Sequence, residues 1–566
     1  MRLILTEGFM GHLSANPTIG QYLLDRLYEL GVEHIFGVPG DYVLRLDKLI
    51  EQHPNIQFIN TTRENPAGYA ADAYARMRGL GVACVTYGVG INIANALAQA
   101  YVESSPLVVI SGTVGTEEFA RHSAMHHLIN KSMTAQTDTT QLEIFKQLTI
   151  DQGILDDPKT AAQIIDRVLI NCLQHKKPVY LELPRNRVET PLESDPLPFE
   201  FSLPPSDPDA LQEALAETQH VLSLCQYPLI WAGHEVLRFN ASEDLLQFAE
   251  KNRIPIVSSL LGKTAIDEHH PLFAGVYQGG LSAQEVNDLV QRCDCALIVG
   301  VMMSDIDTGL FTTKVDQEHR IFVDNSNLTI GHHHYQNIQL KDYVKELKNL
   351  NLNLTHSPFH TPRNTSIAPL FTPIKETKTT TKRVFECIQS HLSKDLTIIT
   401  DVGDCLFASA DLVLPQNSFL ACAYFASLGF GVPGAIGAQI AQPNKRVLAI
   451  VGDGGFQMSA MELSAAVRYQ LDPIIIVLNN HGYGTERPLL DGTYNDILNW
   501  NYTEIPRVLG GGIGIYTDNE QAFDNALVEA LKNRGNFYLI EVELDKLDFS
   551  PALNRLGKLL GQVIRT

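Results

Sequence analysis

The chain has 566 residues, enough for three or four domains of ordinary size, and 45% of them are hydrophobic. Its 64 acidic residues against 43 basic ones give a net charge of −21, which makes nucleic acid and anionic membranes poor partners. The eight cysteines form no C-x-x-C pair, and no apolar run is long enough to span a bilayer or act as a secretory signal, so we expect a cytoplasmic protein.

The first third of the chain alternates helical and strand patterns. Buried apolar runs separated by Gly- and Pro-containing loops predict strands, and amphipathic or Ala-rich runs predict the helices between them. This βαβ rhythm is typical of a doubly wound parallel sheet. The predicted strands are 33–38, 56–60, 82–86 and 107–111, and the predicted helices are 19–30, 66–77 and 92–102.

Two Pro- or Thr-rich segments divide the rest of the chain. We expect an α/β domain over 1–190, a linker at 191–208, a middle α/β domain over 209–350, a linker at 351–380 and a third α/β domain over 381–566. The predicted fold class is therefore α/β, with three doubly wound parallel-sheet domains. The triplet His332-His333-His334 favours a surface or interface segment over a metal site, because successive side chains diverge.

The segment Val447–Glu486 carries the strongest chemical signal. Two apolar runs, 447–451 and 474–478, predict parallel strands joined by a helix whose apolar side includes Met458 and Met461. Asp453, in a Gly-rich loop, and Asn480 each follow one of these strands, at the edge where ligands of α/β sheets bind. Carboxylate and amide oxygens beside phosphate-binding N–H groups suit Mg²⁺ on a diphosphate.

Gly452-Asp453-Gly454 and, after 24 residues (455–478), Asn479-Asn480 resemble the signature of thiamine-diphosphate enzymes. Nearly the whole chain resembles one branch of them, the 2-oxo acid decarboxylases that include pyruvate and indolepyruvate decarboxylases. The resemblance implies that 1–190 binds the cofactor's pyrimidine and 381–566 its diphosphate and Mg²⁺. It implies metal ligands at Asp453, Asn480 and Gly482, and cofactor contacts at Glu64, Gly403, Ala426, Ser427, Leu428, Gly454, Gly455, Asn480, Gly482 and Tyr483.

The same resemblance implies an acid–base set. Glu64 would hydrogen-bond the aminopyrimidine ring, and Leu428 would wedge the cofactor into a bent shape. His127 with Asp41 would handle a proton on the product side, His126 would support them, and Glu486 would act on the substrate-derived carboxylate or oxygen. Each of these motifs taken alone also has a structural interpretation. Glu64 is typical of a helix N-terminus, the His pair of surface or core positions without a catalytic role, and Gly-Asp-Gly of an ordinary turn.

The resemblance also bears on the substrate and on assembly. Pyruvate-restricted bacterial members carry bulkier residues at the positions aligned with Leu406, Thr485 and Leu556, whereas apolar walls remain here at Phe407, Leu489 and Leu556. We therefore expect a bulky 2-oxo acid, aromatic or branched, as the substrate. In the family the cofactor lies between two chains, which implies a homodimer or homotetramer with shared sites.

Other functions stay open on the sequence. Pyruvate decarboxylase, benzoylformate decarboxylase and acetohydroxyacid synthase use the same cofactor, and the last of these would bind flavin in its middle domain. An inactive thiamine-diphosphate-binding scaffold would have no need of Glu64, Asp41, His126, His127 and Glu486 together. A nucleotide-binding module with Mg²⁺ at Asp453 would bind a nucleoside diphosphate instead.

Overall fold

The computed structural model describes residues 16–121, 123–129, 138–194, 201–315, 318–352, 354 and 371–564, with side chains as far as 558. The chain divides into two compact units, each built from several segments. One contains Met1–Leu203, Val432–Pro443 and Ser459–Leu471, and the other contains Pro204–Gly431, Asn444–Met458 and Asp472–Thr566. The described residues form three sheets of six, seven and six strands.

The first sheet is entirely parallel, as the βαβ pattern predicts. Its strands are β1 (His34–Gly37), β2 (Gln57–Asn60), β3 (Gly81–Thr86), β4 (Leu107–Thr113), β5 (Asp151–Ile154) and β6 (Val179–Pro184), in the order β2-β1-β3-β4-β6-β5. Its central strands are buried along their whole length, which explains their mostly apolar sequences. The helices are α1 (Ile19–Glu29), α2 (Leu44–Gln52), α3 (Glu64–Arg78), α4 (Ala94–Val102), α5 (Thr116–Ala120), α6 (Thr140–Lys146) and α7 (Ala161–His175).

Local sequence explains how α1 begins. The Thr18 hydroxyl accepts a hydrogen bond from the Gln21 backbone N–H, and the Gln21 side chain accepts one from the Thr18 N–H. This reciprocal capping box satisfies two N–H groups that the first helical turn leaves without partners.

The second sheet is parallel except at one edge. Its strands are β7 (Pro228–Ala232), β8 (Ile256–Ser258), β9 (Phe273–Val276), β10 (Cys295–Val299), β11 (Arg320–Val323), β12 (Asn327–Ile330) and β13 (His333–Gln336). They run in the order β13-β12-β11-β10-β7-β8-β9, and β11, β12 and β13 pair antiparallel. The middle sheet is therefore mostly parallel, as expected, and its antiparallel edge arises because a short turn returns the chain directly beside β11. The helices are α8 (Pro208–Leu224), α9 (His234–Arg238), α10 (Ser242–Asn252), α11 (Gln284–Gln291) and α12 (Leu340–Leu347).

The third sheet is again entirely parallel. Its strands are β14 (Leu396–Thr400), β15 (Phe419–Ala421), β16 (Arg446–Gly452), β17 (Ile474–Asn479), β18 (Ile513–Thr517) and β19 (Tyr538–Glu543), in the order β15-β14-β16-β17-β19-β18. The helices of this part of the chain are α13 (Thr381–His391), α14 (Asp404–Ser409), α15 (Gly431–Ala441), α16 (Asp453–Ser459), α17 (Leu463–Arg468), α18 (Ile505–Leu509), α19 (Glu520–Lys532) and α20 (Pro551–Ile564).

Details at several segments differ from expectation. The helical stretch after Asp453 is interrupted by a 3₁₀ turn, and Met458 and Met461 are 51% and 50% exposed, so they lie off the apolar side. The His triplet is exposed, as expected, at the edge strand β13. Parts of both predicted linkers, 195–200, 353 and 355–370, lie outside the described residues. Among the described helices, none combines the length and apolar character needed to cross a membrane.

Candidate active site

The two polar residues at the ends of β16 and β17 meet at one sheet edge. Asp453 begins α16 directly after β16, and Asn480 follows β17, which pairs parallel with β16. The side-chain amide of Asn480 has one of its two terminal atoms 3.3 Å from Asp453 Oδ1 and 2.9 Å from the backbone oxygen of Gly482. Neighbouring ligands of an octahedral ion with bonds of about 2.1 Å lie about 3.0 Å apart. With the amide oxygen turned towards the other two groups, Asp453, Asn480 and Gly482 would offer a hard cation three oxygens at about this spacing.

Backbone donors hold the Asp453 carboxylate in place. Oδ1 accepts from Gly454 N–H at 2.8 Å, and Oδ2 accepts from Gly482 N–H at 2.9 Å. Burial raises the pKa of Asp453 to about 6, so its charge needs compensation. Gly482 adopts a φ of +149°, and a Cβ there would lie 2.0 Å from the Asn495 oxygen, so only glycine fits.

Asp401 organises the loops around this edge, and sequence reasoning missed it. Its buried carboxylate, just after β14, accepts hydrogen bonds from the backbone N–H groups of Val402, Gly429 and Gly431. Burial raises its pKa to about 6, and these three donors oppose that rise. The available signal was an acidic residue directly after a buried strand and two positions before Gly403.

The predicted cofactor-contacting residues of this unit surround the same loops. Ser427 is buried and Leu428 half-buried, directly before Gly429, which Asp401 holds. A Cβ at Gly455 would lie 3.0 Å from the Asp401 carboxyl carbon, and a Cβ at Gly454 would lie 2.7 Å from the Tyr483 ring. Ala426 has a left-handed φ of +56° at the turn that leads into this loop.

Only some of the residues predicted for the substrate pocket lie together. Phe407 and Leu556 share a small apolar cluster, formed by α14, α20 and Leu281. Thr485 lies beside Gly403, because a Cβ built at Gly403 would be 3.1 Å from Thr485 Oγ1. One further contact brings the segment of Leu489 close to this cluster. A Cβ built at Gly557, the neighbour of Leu556, would lie 2.8 Å from the side chain of Pro488, the neighbour of Leu489. Glu486 is exposed in the same turn as Pro488. Leu406 packs instead into the main core of this sheet, because α14 turns it away from the cluster.

In the other unit, Glu64 is the first residue of α3, directly beyond β2 and a three-residue loop. Its Oε2 accepts a hydrogen bond of 2.9 Å from the side-chain amide of Asn92. Asn92 lies in the 3₁₀ turn Val89–Ile93, which leads into α4. Asn92 fixes the direction of the carboxylate, and no sequence pattern had marked it because the contact spans 28 residues.

Asp41, His126 and His127 form one exposed cluster, with ligand atoms all within 4.8 Å of one another. Asp41 Oδ2 lies 2.9 Å from His126 Nε2, so its direct partner is His126, whereas the resemblance paired it functionally with His127. The Tyr42 ring stacks on His126, and the Tyr42 hydroxyl donates to the His126 backbone oxygen at 2.7 Å. His127 adopts a left-handed φ of +67°, which turns the chain between the two rings.

Comparisons with known proteins identify the family of this chain. Three family models match the chain in order: the thiamine pyrophosphate enzyme N-terminal TPP binding domain over residues 17–135, the central domain over 215–349 and the C-terminal TPP binding domain over 401–542. The first match contains Asp41, Glu64, His126 and His127, and the last contains the Asp453 loops.

Curated relatives match over almost their full length. An alpha-keto-acid decarboxylase of Mycobacterium tuberculosis is 31% identical over 558 residues, covering 96% of this chain and 97% of the relative. An indole-3-pyruvate decarboxylase of Azospirillum brasilense is 32% identical, covering 95% and 97%. Pyruvate decarboxylase 2 of Arabidopsis thaliana is 31% identical, covering 96% and 91%. The chain belongs to the thiamine-diphosphate-dependent 2-oxo acid decarboxylases, enzymes that release the carboxylate of a 2-oxo acid as CO₂.

Proposed function

We propose that this enzyme decarboxylates a bulky 2-oxo acid, such as phenylpyruvate, indolepyruvate or a branched-chain acid, to the aldehyde and CO₂, with Mg²⁺ and thiamine diphosphate as cofactors. The observation that carries the metal part is the convergence of the Asn480 side-chain amide on the Asp453 carboxylate and the Gly482 backbone oxygen, at 3.3 and 2.9 Å. Mg²⁺ takes few protein oxygens and completes its shell with phosphate and water, which matches this small ligand set.

Thiamine diphosphate, when bound, supplies the nucleophilic carbon and the electron sink that let the carboxylate leave. The protein contributes orientation and proton transfer. Glu64, directed by Asn92, would hydrogen-bond the pyrimidine of the cofactor, and Leu428 would hold its rings in a bent shape. Gly403, Ala426, Ser427, Gly454, Gly455 and Tyr483 complete the cofactor contacts in this proposal.

Asp41, His126 and His127 form the proton-transfer group. Asp41 Oδ2 lies 2.9 Å from His126 Nε2, and the 4.6 Å separation of the two His rings lets both face one substrate. The Arg185 guanidinium lies 4.0 Å from the Asp41 carboxylate. Glu486, exposed in its turn, acts on the substrate carboxylate or oxygen.

The substrate proposal rests on the walls near Thr485. Phe407, Leu489 and Leu556 are apolar, and none of the residues aligned with the bulky positions of pyruvate-restricted members is aromatic. Each additional buried methylene contributes about 0.8 kcal/mol, so an aromatic or branched substituent gains affinity over the methyl group of pyruvate. Leu406 contributes indirectly, through the core under Phe407.

A substrate panel tests this proposal. We expect CO₂ release that requires both thiamine diphosphate and Mg²⁺, with kcat/KM at least about tenfold higher for phenylpyruvate than for pyruvate. A preference for pyruvate would overturn the pocket argument and leave the cofactor assignment intact. Activity without Mg²⁺ in a chelator-treated sample would overturn the cation assignment.

We also propose a homodimer, or a tetramer built from two dimers, in which Glu64 and Asp41 of one chain complete a site with Asp453 and Glu486 of another. Large apolar side chains stand exposed around the cation site, as expected of an interface. They are Met458 (51% exposed), Leu490 (59%), Tyr494 (63%) and Leu498 (79%).

Subunit mixing tests the shared site. Glu64→Ala and Asp453→Ala chains are each expected to be inactive. After subunit exchange, about half of the dimers are hybrids with one intact site of two, so about one quarter of wild-type activity returns. Proven exchange without any recovery would show that each site is built from one chain.

For the chain as a whole, we propose a pyrimidine-binding domain at 1–190, a middle domain at 209–350 and a diphosphate- and Mg²⁺-binding domain at 381–566, joined by linkers at 191–208 and 351–380. Each of the three sheets falls inside one of these ranges. A cytoplasmic location is proposed because all eight cysteines, which lie within the described residues, are free.

A further inference from the structure

A second candidate metal site lies on two helices, away from the cation-binding loops. Cys387 and His391 are one turn apart on α13, so they share one helix face, and Asp524 lies on α19, which packs against α13. Their ligand atoms, Cys387 Sγ, one ring nitrogen of His391 and one carboxylate oxygen of Asp524, all lie within 4.8 Å of one another. We propose that these three side chains bind one Zn²⁺ ion, with water as a fourth ligand.

The contacts already have nearly the spacing of a tetrahedral site. His391 Nε2 lies 2.8 Å from Asp524 Oδ1, and Cys387 Sγ lies 3.6 Å from the same oxygen. Ligands at bond lengths of about 2.0–2.3 Å around tetrahedral zinc lie roughly 3.3–3.7 Å apart. The Cys387–Asp524 separation fits that interval. The His391 ring has to move about half an ångström away from Asp524, which a partly exposed side chain can do.

The ligand set also selects the kind of ion. A thiolate with an imidazole and one carboxylate suits zinc, whereas Mg²⁺ prefers oxygen ligands alone. Cys387 is fully buried, while the side chains of His391 and Asp524 are 27% and 19% exposed, so an ion can enter from the solvent side. Binding replaces the thiol proton, which Cys387 now donates towards Asp524, with a sulfur–zinc bond and releases that proton to solvent.

Two other interpretations of this cluster fit less well. A nucleophilic Cys–His pair would have the thiol hydrogen-bonded to the imidazole, but here both groups contact the carboxylate. A purely structural hydrogen-bond network needs only the His391–Asp524 pair. Such a network gives no reason for the buried Cys387 thiol beside the same carboxylate.

Cobalt provides a direct probe, because a thiolate ligand gives Co²⁺ an intense charge-transfer absorption band. The holoenzyme, loaded with thiamine diphosphate and Mg²⁺, is titrated with Co²⁺ and then back-titrated with Zn²⁺. We expect one band-forming site per chain that Zn²⁺ displaces. The band should be absent in Cys387→Ser, and Zn²⁺ affinity should fall at least about tenfold in His391→Ala and Asp524→Asn.

Cys172→Ser is the matched control, since Cys172 is an equally buried helical cysteine whose residue at +4 is Lys176. It should keep the band. His391→Ala and Asp524→Asn change side chains that are partly exposed, so these two variants keep the test decisive if Cys387→Ser fails to fold. No thiolate band in the wild type, or a band that survives Cys387→Ser, would overturn the proposal. Decarboxylase activity is recorded in parallel and stays independent of the outcome.

Discussion

Replacing Asp453 by Asn removes the one charged oxygen of the proposed Mg²⁺ site and preserves its shape. The attraction between a carboxylate and a divalent ion at about 2.1 Å is about 4 kcal/mol even at the dielectric constant of water, and burial strengthens it. Asp453 is 1% exposed. We therefore expect the Mg²⁺ concentration for half-maximal activity to rise at least about a hundredfold in Asp453→Asn.

The assay measures Mg²⁺ in two independent ways. Initial rates are recorded against Mg²⁺ at saturating thiamine diphosphate, and calorimetry follows cofactor binding at the same Mg²⁺ concentrations. Asp491→Asn is the matched control, because Asp491 lies in the following loop, is 45% exposed and pairs with Arg487, which keeps Asp496 as a second partner. It should leave both curves in place. A folded Asp453→Asn enzyme with the wild-type Mg²⁺ dependence would refute the assignment of Asp453 as a ligand.

Three further changes test other parts of the structure. Thr485→Leu should narrow the pocket beside Gly403 and lower the ratio of kcat/KM for phenylpyruvate to that for pyruvate at least about tenfold. Thr485→Ser is the control and should keep the ratio. Equal ratios in both variants would show that Thr485 does not line the pocket. Asn92→Ala removes the hydrogen bond to Glu64 and should reduce transition-state stabilisation by about 1 kcal/mol, which lowers kcat/KM roughly fivefold. An equal loss in Asn95→Ala would mean that the effect is not specific. Burial raises the pKa of Glu182 from 4.5 to about 7, so the folded state holds the proton more tightly and stability falls as pH rises from about 4.5 to 7, by about 3 kcal/mol. Glu182→Gln should therefore have a Tm above that of wild type at pH 8 and close to it at about pH 4, and a constant difference across this range would contradict the reasoning.

The sequence predicted the parallel sheets well, because fully buried strands such as β4 and β16 are mostly apolar. It failed at the hairpin of β12 and β13, whose polar sequence, including three histidines, carries no buried-strand signal. An edge strand with one exposed face needs few apolar residues, so its pairing is decided by the turn and by β11.

The site was predictable where residues adjoin strand ends and unpredictable where contacts are remote in sequence. Asp453 and Asn480 each follow a buried strand, so strand adjacency alone brings them together. Asn92 and Asp401 act through contacts to residues 28 and 30 positions away, which no local pattern encodes. The packing of Leu406 was unpredictable for a related reason, because the direction of a side chain on α14 depends on how that helix packs.

Asp401 has a practical consequence for redesign of the enzyme. A single carboxylate secures the backbone at Gly429 and Gly431, so the adjoining loop keeps its course whatever side chain occupies position 428. A library that varies the proposed contact residues Leu428 and Thr485 would therefore change side chains on a backbone held elsewhere, whereas one that includes Asp401 would remove the acceptor shared by Val402, Gly429 and Gly431.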